Sequence, residues 1–225
     1  MIVTNLINDL PFDSANYKVI EFLDIFEINN QKRAKVKDLG ARVASLHSFF
    51  FDYLKEYHIP IAFTKREQDN SIKLVKYESL PFTVKILNSA DKRTAKIFSL
   101  KERSQLDLPI FEFHYGTMKD SLISDSHLIT FNLCSAEDLK MVNRICSKIN
   151  AVLKSFFERR NYTLAEFNTT FGKFDGKILM TGNFSPESLK VFPVADSPKW
   201  KDPYKLSTAA NVKGYTDQLT NIISA

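Results

Sequence analysis

Apolar and polar positions alternate with two different periods along this chain. The longest regular run begins at Ser135. Leu139, Val142, Ile145, Cys146, Ile149, Val152, Leu153, Phe156 and Phe157 recur at the i, i+3, i+4, i+7 spacing of a helix buried along one stripe. Ser135 stands where an N-cap belongs, and Glu137 and Asp138 place carboxylates at the positive end of the helix dipole. Arg159 and Arg160 match its negative end. The period then shortens. Leu164, Phe167 and Phe171 on one arm and Ile178 and Met180 on the other predict a β-hairpin, with Phe174-Asp175-Gly176 as its turn. Gly176 supplies the positive φ that a tight turn needs.

The remaining chain is read in order. Residues 1–16 are weakly patterned, with Pro11, Asp13, Ser14 and Asn16 reading as loop. Residues 17–26 alternate like a strand, and residues 28–39 read as a solvated loop or exposed strand carrying Lys32, Arg33, Lys35 and Lys37. A second helix is predicted over 41–57, with Val43, Leu46, Phe50, Tyr53 and Leu54 inward; it ends at His58-Ile59-Pro60 because a residue before proline leaves the helical region. Strands are predicted over 61–65, 72–77, 81–87 and 108–115. Residues 88–100 are polar and ambiguous, and 117–133 read as a loop with a short helical turn. Past Pro193, an amphipathic helix is expected over 208–223. Strands, helix, strands, helix, hairpin, helix is an α+β order, not a regular βαβ alternation.

Composition narrows the class. With 225 residues, 44% of them hydrophobic and 19 of them Phe, the chain can build one large domain or two joined lobes. We expect lobes over 1–88 (an antiparallel sheet with one helix) and 89–225 (long helix, hairpin and C-terminal helix). The net charge of +5 suits a phosphorylated small molecule as partner. There is no long Lys/Arg run and no interleaved basic–aromatic motif, which argues against nucleic acid. Cys134 and Cys146 make no disulfide framework, and Cys146 lies inside the apolar stripe. No signal peptide and no membrane-length apolar run is visible, so the expected compartment is the cytoplasm, with no membrane partner. Self-association is left open.

Common catalytic signatures are missing. There is no G-x-x-x-x-G-K-[ST], G-x-G-x-x-G, C-x-x-C, H-E-x-x-H or G-x-S-x-G. The four histidines, His47, His58, His114 and His127, are scattered, so no metal site is predicted.

An ordered set of landmarks is more informative. These are Ile59-Pro60, Leu74-Val75-Lys76 with Leu80-Pro81, Asn88, Pro109-Ile110-Phe111-Glu112-Phe113, Lys119-Asp120-Ser121-Leu122-Ile123 with His127, the long helix, Phe167, Phe171-Gly172 and Ser185-Pro186. In this order they resemble the "GIP", "LVKK…xP", "VVRN", "PxxEF", "DPLINEDH", "LVDFKLEFG" and "SPD" text of the SAICAR synthetase family, over roughly residues 17–192. The resemblance implies that family's two-lobed fold. It also implies its chemistry: joining aspartate to an imidazole carboxylate on a ribose phosphate, with ATP and Mg²⁺ forming an acyl phosphate. Such a site needs a glycine-rich turn and lysine at the triphosphate, and carboxylates for a hard, oxygen-seeking ion.

Against that pattern the chain departs in several places. Residues 1–20 contain no glycine, so the glycine-rich opening is absent. The metal carboxylates fall at Thr170 and at Gly182 and Asn183, and the family's Asn-Asn pair falls at Val43 and Ala44. The substrate-contacting Glu and Arg fall at Thr83 and Leu87, and "AAGS" reads Ala90-Asp91-Lys92-Arg93. The resemblance therefore assigns catalytic roles to Asp120, His127 and Glu166, and substrate or phosphate binding to Lys76, Asn88, Ser185 and Lys190. Structural alternatives stand beside these: Lys76 as an outward strand lysine, Asp120 and His127 as caps of a short helix, Ser185 as the end of the hairpin. The expected function is a divergent SAICAR synthetase-like enzyme for a phosphorylated ribose-type or carboxylate substrate, its use of ATP and Mg²⁺ weakened or lost. A binding or interaction protein that keeps the fold is the alternative, and a genuine ATP-dependent ligase the third reading.

Overall fold

In the computed structural model, which describes residues 3–10, 16–28, 32–116, 121–195 and 197–224, the alternating run that begins at Tyr17 is the spine of a first antiparallel sheet. This run is β2 (Tyr17–Ile28). It is flanked by β1 (Val3–Leu10), β3 (Lys32–Lys35) and, after helix α1 (Leu39–Glu56) and β4 (Phe63–Gln68), by β5 (Ser71–Val75). Residues 3–10, for which the weak pattern predicted no element, are a strand: backbone pairing with β2 recruits them. Residues 11–15 lie outside the described residues. The basic 28–39 stretch resolves into β3, with Arg33 and Lys35 exposed.

Helix α1 starts at Leu39, with its cap supplied from far away in the sequence. The Asp24 carboxylate, on β2, accepts from the backbone N–H groups of Asp38 at 3.0 Å and Gly40 at 2.9 Å. Gly40 lies so close under the Phe22 carbonyl that a Cβ there would collide with backbone. The predicted inward stripe holds: Val43, Leu46, Phe50 and Leu54 are fully buried, while Tyr53 is half-buried.

The second sheet follows the chain through β6 (Glu78–Ser89), helix α2 (Lys92–Phe98), β7 (Gln105–Tyr115), β8 (Leu122–Ile123), helices α3 (Asp125–Thr130) and α4 (Ala136–Glu158), β9 (Tyr162–Phe174), β10 (Lys177–Gly182) and β11 (Leu189–Pro193). Its strand order is β10-β9-β6-β7-β8, with β11 also on β9. Helix α4 is the long predicted helix, and Ser135 caps it by accepting from Asp138 N–H at 3.0 Å. The hairpin turn bends at Asp175 and Gly176, both at positive φ. The sheets change between β5 and β6, ahead of the lobe boundary expected at residue 88, so β6 pairs with β7 and β9.

This sheet has two unlike faces. Odd and even residues of a strand point to opposite sides. Val84, Ile86, Phe113, Phe167 and Phe171 enter the same core as the α4 stripe. The other face carries Thr83 and Lys85 of β6, Glu112 and His114 of β7, and Glu166 and Asn168 of β9. The register sets Lys85 opposite both Glu112 and Asn168.

The two sheets form one body. Met180 N–H donates to Pro60 O and Ala62 N–H to Met180 O, each at 2.9 Å. Phe50 of α1 packs against Phe156 and Phe157 of α4 and against Phe184. The C-terminal helix α5 (Ala209–Ser224) returns to α1, where Asp217 meets Arg42 at 2.6 Å. Among the described residues no helix is long and apolar enough to cross a membrane.

His47 fastens α1 to the loop after β10. Its Nδ1–H donates to Val43 O at 2.9 Å, and Nε2 accepts from Phe184 N–H at 3.1 Å. The second bond requires the neutral ring, and burial lowers its pKa to about 4 against the hydrogen bond to Val43. The unfolded chain therefore binds a proton that the folded chain refuses. Stability should fall as pH drops from 6.5 towards 4, by roughly 3 kcal/mol in total at 1.36 kcal/mol per pH unit. Urea titrations across that range should show the decline in the natural chain, and His47→Gln should lose it.

Candidate functional site

The polar face of the second sheet is the floor of a cavity of about 670 Å³. Thr83, Lys85, His114, Glu166 and Asn168 reach it because they occupy alternate positions of central strands. The N-terminal end of α2 adds Asp91, Lys92 and Arg93, the bend after β10 adds Asn183, Glu187 and Ser188, and β11 adds Lys190. Pro203, Tyr204 and Leu206 close one side. They are held there by the tail: Trp200 Nε1–H donates to Val191 O at 3.0 Å, and the Tyr215 hydroxyl donates to Leu189 O at 2.8 Å.

Lys85 is the hub of the floor. Its ammonium lies 2.5 Å from Asp91, 3.4 Å from Glu112 and 3.8 Å from Glu166. Burial alone would lower the Lys85 pKa, but the carboxylates outweigh it and raise it. Asp91 serves two partners, since its other oxygen accepts from Thr94 N–H at 2.7 Å and caps α2. Burial would raise the Asp91 and Glu112 carboxyls. Lys85 and the Thr94 N–H outweigh it at Asp91, and His114, Lys85 and Arg93 do so at Glu112, so both lie below their usual range. Glu166 accepts from Asn168 at 3.3 Å and from the Tyr204 hydroxyl at 3.2 Å. The Tyr204 pKa is raised, by burial first and then by Glu166.

Lys190 differs from Lys85. Its Nζ donates to the Pro203 carbonyl at 3.1 Å and sits 5.7 Å from the Tyr204 ring centroid. Burial lowers its pKa, and the more distant carboxylates of Glu166, Glu187 and Asp202 do not offset it.

The sequence-predicted site residues separate accordingly. Glu166 and Lys190 line the cavity together. His127 is outside it, in the first turn of α3, where its Nδ1 accepts from Ser124 N–H at 3.1 Å as part of a capping box. Asn88 turns inward and exchanges two amide hydrogen bonds with Asn150 of α4, at 2.8 and 2.9 Å. Lys76 is exposed between β5 and β6, its backbone N–H bound to Asn16 O. Ser185 is buried, with its N–H donating to the Ser188 hydroxyl at 2.9 Å. Asp120 lies outside the described residues. Cys146 is a buried free thiol, and burial pushes the Cys134 thiol up to about 11.

The model of one protein family, SAICAR synthetase, matches residues 13–222 of this chain. The chain belongs to the SAICAR synthetase family. A phosphoribosylaminoimidazole-succinocarboxamide synthase of Persephonella marina is 27% identical over 194 residues, covering 85% of this chain and 82% of that one. The crystal structure of the corresponding synthase from Ehrlichia chaffeensis superposes with a TM-score of 0.87 at 21% identity, covering 99% of this chain and 97% of that one. A SAICAR synthetase solved in complex with ADP does so with a TM-score of 0.87 at 23% identity, covering 99% and 97%. The expected α+β SAICAR synthetase architecture is therefore the observed one.

Membership of the SAICAR synthetase family raises the question of magnesium. The family text places metal carboxylates at Thr170, Gly182 and Asn183; here Thr170 Oγ1 and Thr181 Oγ1 share a hydrogen bond at 3.0 Å, and the Thr169 hydroxyl donates to Gly182 O. Hydroxyls satisfied by one another do not make the anionic oxygen cage that Mg²⁺ prefers. Among the described residues no group of His, Cys, Asp and Glu side chains assembles as a metal site. These residues do not fit the ion.

Sequence reasoning passed over Lys85, Glu112, His114 and Tyr204 as site residues. For the first three a signal existed: a polar residue at every second position of an otherwise apolar strand. Tyr204 had none. Replacing Lys85 by Met should leave the carboxylates facing one another without a cation, at a cost of about 3–5 kcal/mol at neutral pH. The depressed carboxyls of Asp91 and Glu112 add stability above their unfolded values of 3.8 and 4.5, lost as pH falls. Thermal melts should show Lys85→Met to be less stable at pH 7 and to lose less between pH 5 and 3 than the natural chain.

Proposed function

We propose that the chain uses the SAICAR synthetase scaffold to bind a small phosphorylated or carboxylated molecule in the cavity above the second sheet, with Mg²⁺-ATP-driven ligation weakened or lost. The observation that carries this reading is Thr170, which stands where the family pattern places a metal carboxylate and whose hydroxyl is paired with that of Thr181. A triphosphate needs compensating charge. Here the best-placed lysine, Lys85, is already neutralised by Asp91, Glu112 and Glu166. Lys190, bound to a carbonyl, Lys92 on the rim and Arg93, which also pairs with Glu112, are the cations that an incoming anion would meet. An ammonium meets phosphate as a point charge, without arginine's two-pronged geometry.

The curated relatives favour a second reading, amide ligation of the kind their names state. The structure of a neighbour with ADP keeps nucleotide binding on that list. Calorimetry separates the readings. We expect no Mg²⁺-dependent ATP binding at millimolar concentration, and a higher melting temperature with a ribose 5-phosphate or an imidazole carboxylate. Lys190→Ala should weaken that ligand at least about tenfold, near 1.4 kcal/mol, while Lys76→Ala should leave it unchanged. Mg²⁺-dependent ATP binding would restore the ligase reading. Silence towards every small molecule would favour a binding or interaction protein.

A further inference from the structure

At the opposite wall of the cavity from Lys190 in the strand order, β7 and the approach to β8 bring a hydroxyl, an imidazole and a carboxylate into line. Ser121 Oγ lies 3.2 Å from His114 Nδ1. His114 Nε2 lies 3.5 Å from Glu112 Oε2. Ser121 and His114 both line the cavity. Glu112 and His114 share a face because they are two apart on one strand. Ser121 is fixed by its backbone: its carbonyl accepts from Tyr115 N–H at 2.9 Å, and the next residue, Leu122, is registered against His114.

Two features distinguish this from incidental packing. His114 Nε2 and Glu112 Oε2 are both buried and, among the described residues, neither has a hydrogen-bond partner, although they face one another and Glu112 Oε2 lies 3.4 Å from the Lys85 ammonium. Unmade bonds between buried groups are costly, and a hydrogen bond between these two would remove that cost. Once Nε2–H donates to Glu112, Nδ1 is left as a bare acceptor pointing at the Ser121 hydroxyl. That is the tautomer a base needs if it is to take the serine proton. In addition, Ser121 stands where the "DPLINEDH" text of the family has proline, so this hydroxyl is not part of that pattern.

We propose that Ser121, His114 and Glu112 form a serine nucleophile with its base and positioning carboxylate, able to hydrolyse small carboxylic esters that enter the cavity. Ser121 Oγ adds to the ester carbonyl carbon as its proton passes to His114 Nδ1. The C–O bond to the alcohol breaks, and the alcohol leaves with that proton. Water, deprotonated by the same nitrogen, then attacks the acyl-serine and returns the carboxylic acid and the free hydroxyl. The sum is ester plus water to acid plus alcohol, with no change of oxidation state. Glu112 acts through His114, and Lys85 from β6 and Arg93 from α2 hold it ionised. Asp91 and Glu166 are the other charged groups around that carboxylate's partner lysine.

The test is to treat the full chain with a biotinylated fluorophosphonate and map the adduct by peptide mass spectrometry. In parallel, hydrolysis of p-nitrophenyl acetate is followed from pH 5 to 9. One adduct is expected, on Ser121, with ester hydrolysis that Ser121→Ala abolishes. His114→Gln should slow labelling by about a hundredfold or more. Glu112→Gln should still label, but its pH–rate midpoint should move to lower pH, because loss of the carboxylate destabilises the imidazolium. A merely structural role for Glu112 would not move that midpoint. No adduct on the natural chain, an adduct on Ser185 or Ser188 instead, or undiminished hydrolysis by a folded Ser121→Ala chain would each overturn the proposal. Labelling reads Ser121 whether or not an anionic ligand binds, so its failure is separate from failure of the anion-binding reading.

Discussion

An ammonium among carboxylates, Lys85 with Asp91, Glu112 and Glu166, is the interaction that the second half of the structure is arranged around. Its partners come from the start of α2, from β7 and from β9. A charged group taken out of water is costly unless it is paired and hydrogen-bonded. The pairing therefore fixes more than itself. It holds Asp91 where it also caps α2. It orients Glu166 towards the Tyr204 hydroxyl, and so ties the tail across the cavity. It keeps Glu112 ionised beside His114.

The two faces of one sheet divide the work. Val84, Ile86, Phe113, Phe167 and Phe171 join a single core with the α4 stripe and the aromatic side chains of α1. That burial is the main source of stability, since it removes large apolar surfaces from water. The opposite face is free to be polar because the cavity, and not a helix, lies over it. Within the cavity the charges are uneven. Lys85 is ringed by three carboxylates, whereas the hydrogen bond of Lys190 among the described residues goes to a backbone carbonyl. A ligand's anionic group is drawn to the second kind of lysine, and a hard cation finds no oxygen cage at the hairpin, where Thr170 and Thr181 satisfy each other.

Several residues show why some of this was legible beforehand and some was not. The α4 stripe, its Ser135 cap, and the turn at Asp175 and Gly176 follow from spacing and local conformation, and they are found as read. Strand β1 was missed because an edge strand owes its existence to its neighbour's backbone, and residues 3–10 carry no clear alternation of their own. The cap of α1 was invisible for a similar reason: Asp24 supplies it across a gap of 14 to 16 residues. Asn88 looked like a binding residue by its place in a motif, yet its amide is consumed by Asn150, which lies 62 residues further on. Lys85, Glu112 and His114 were written into the strands as polar residues between apolar ones, and went unused because one strand does not reveal what stands across from it.

The amino-acid sequence alone determined the periods: which stretches coil, which extend, where they turn, and the family to which the order of landmarks points. Those properties depend on neighbours within a few residues, so they survive in a one-dimensional string. Only the tertiary structure decided which polar residues share a cavity, which lysine is neutralised, and which hydroxyl faces an imidazole. These outcomes are set by cross-strand register and by the tail's return over the sheet. Electrostatic energy depends on distance in space, and separation along the chain carries almost no information about it.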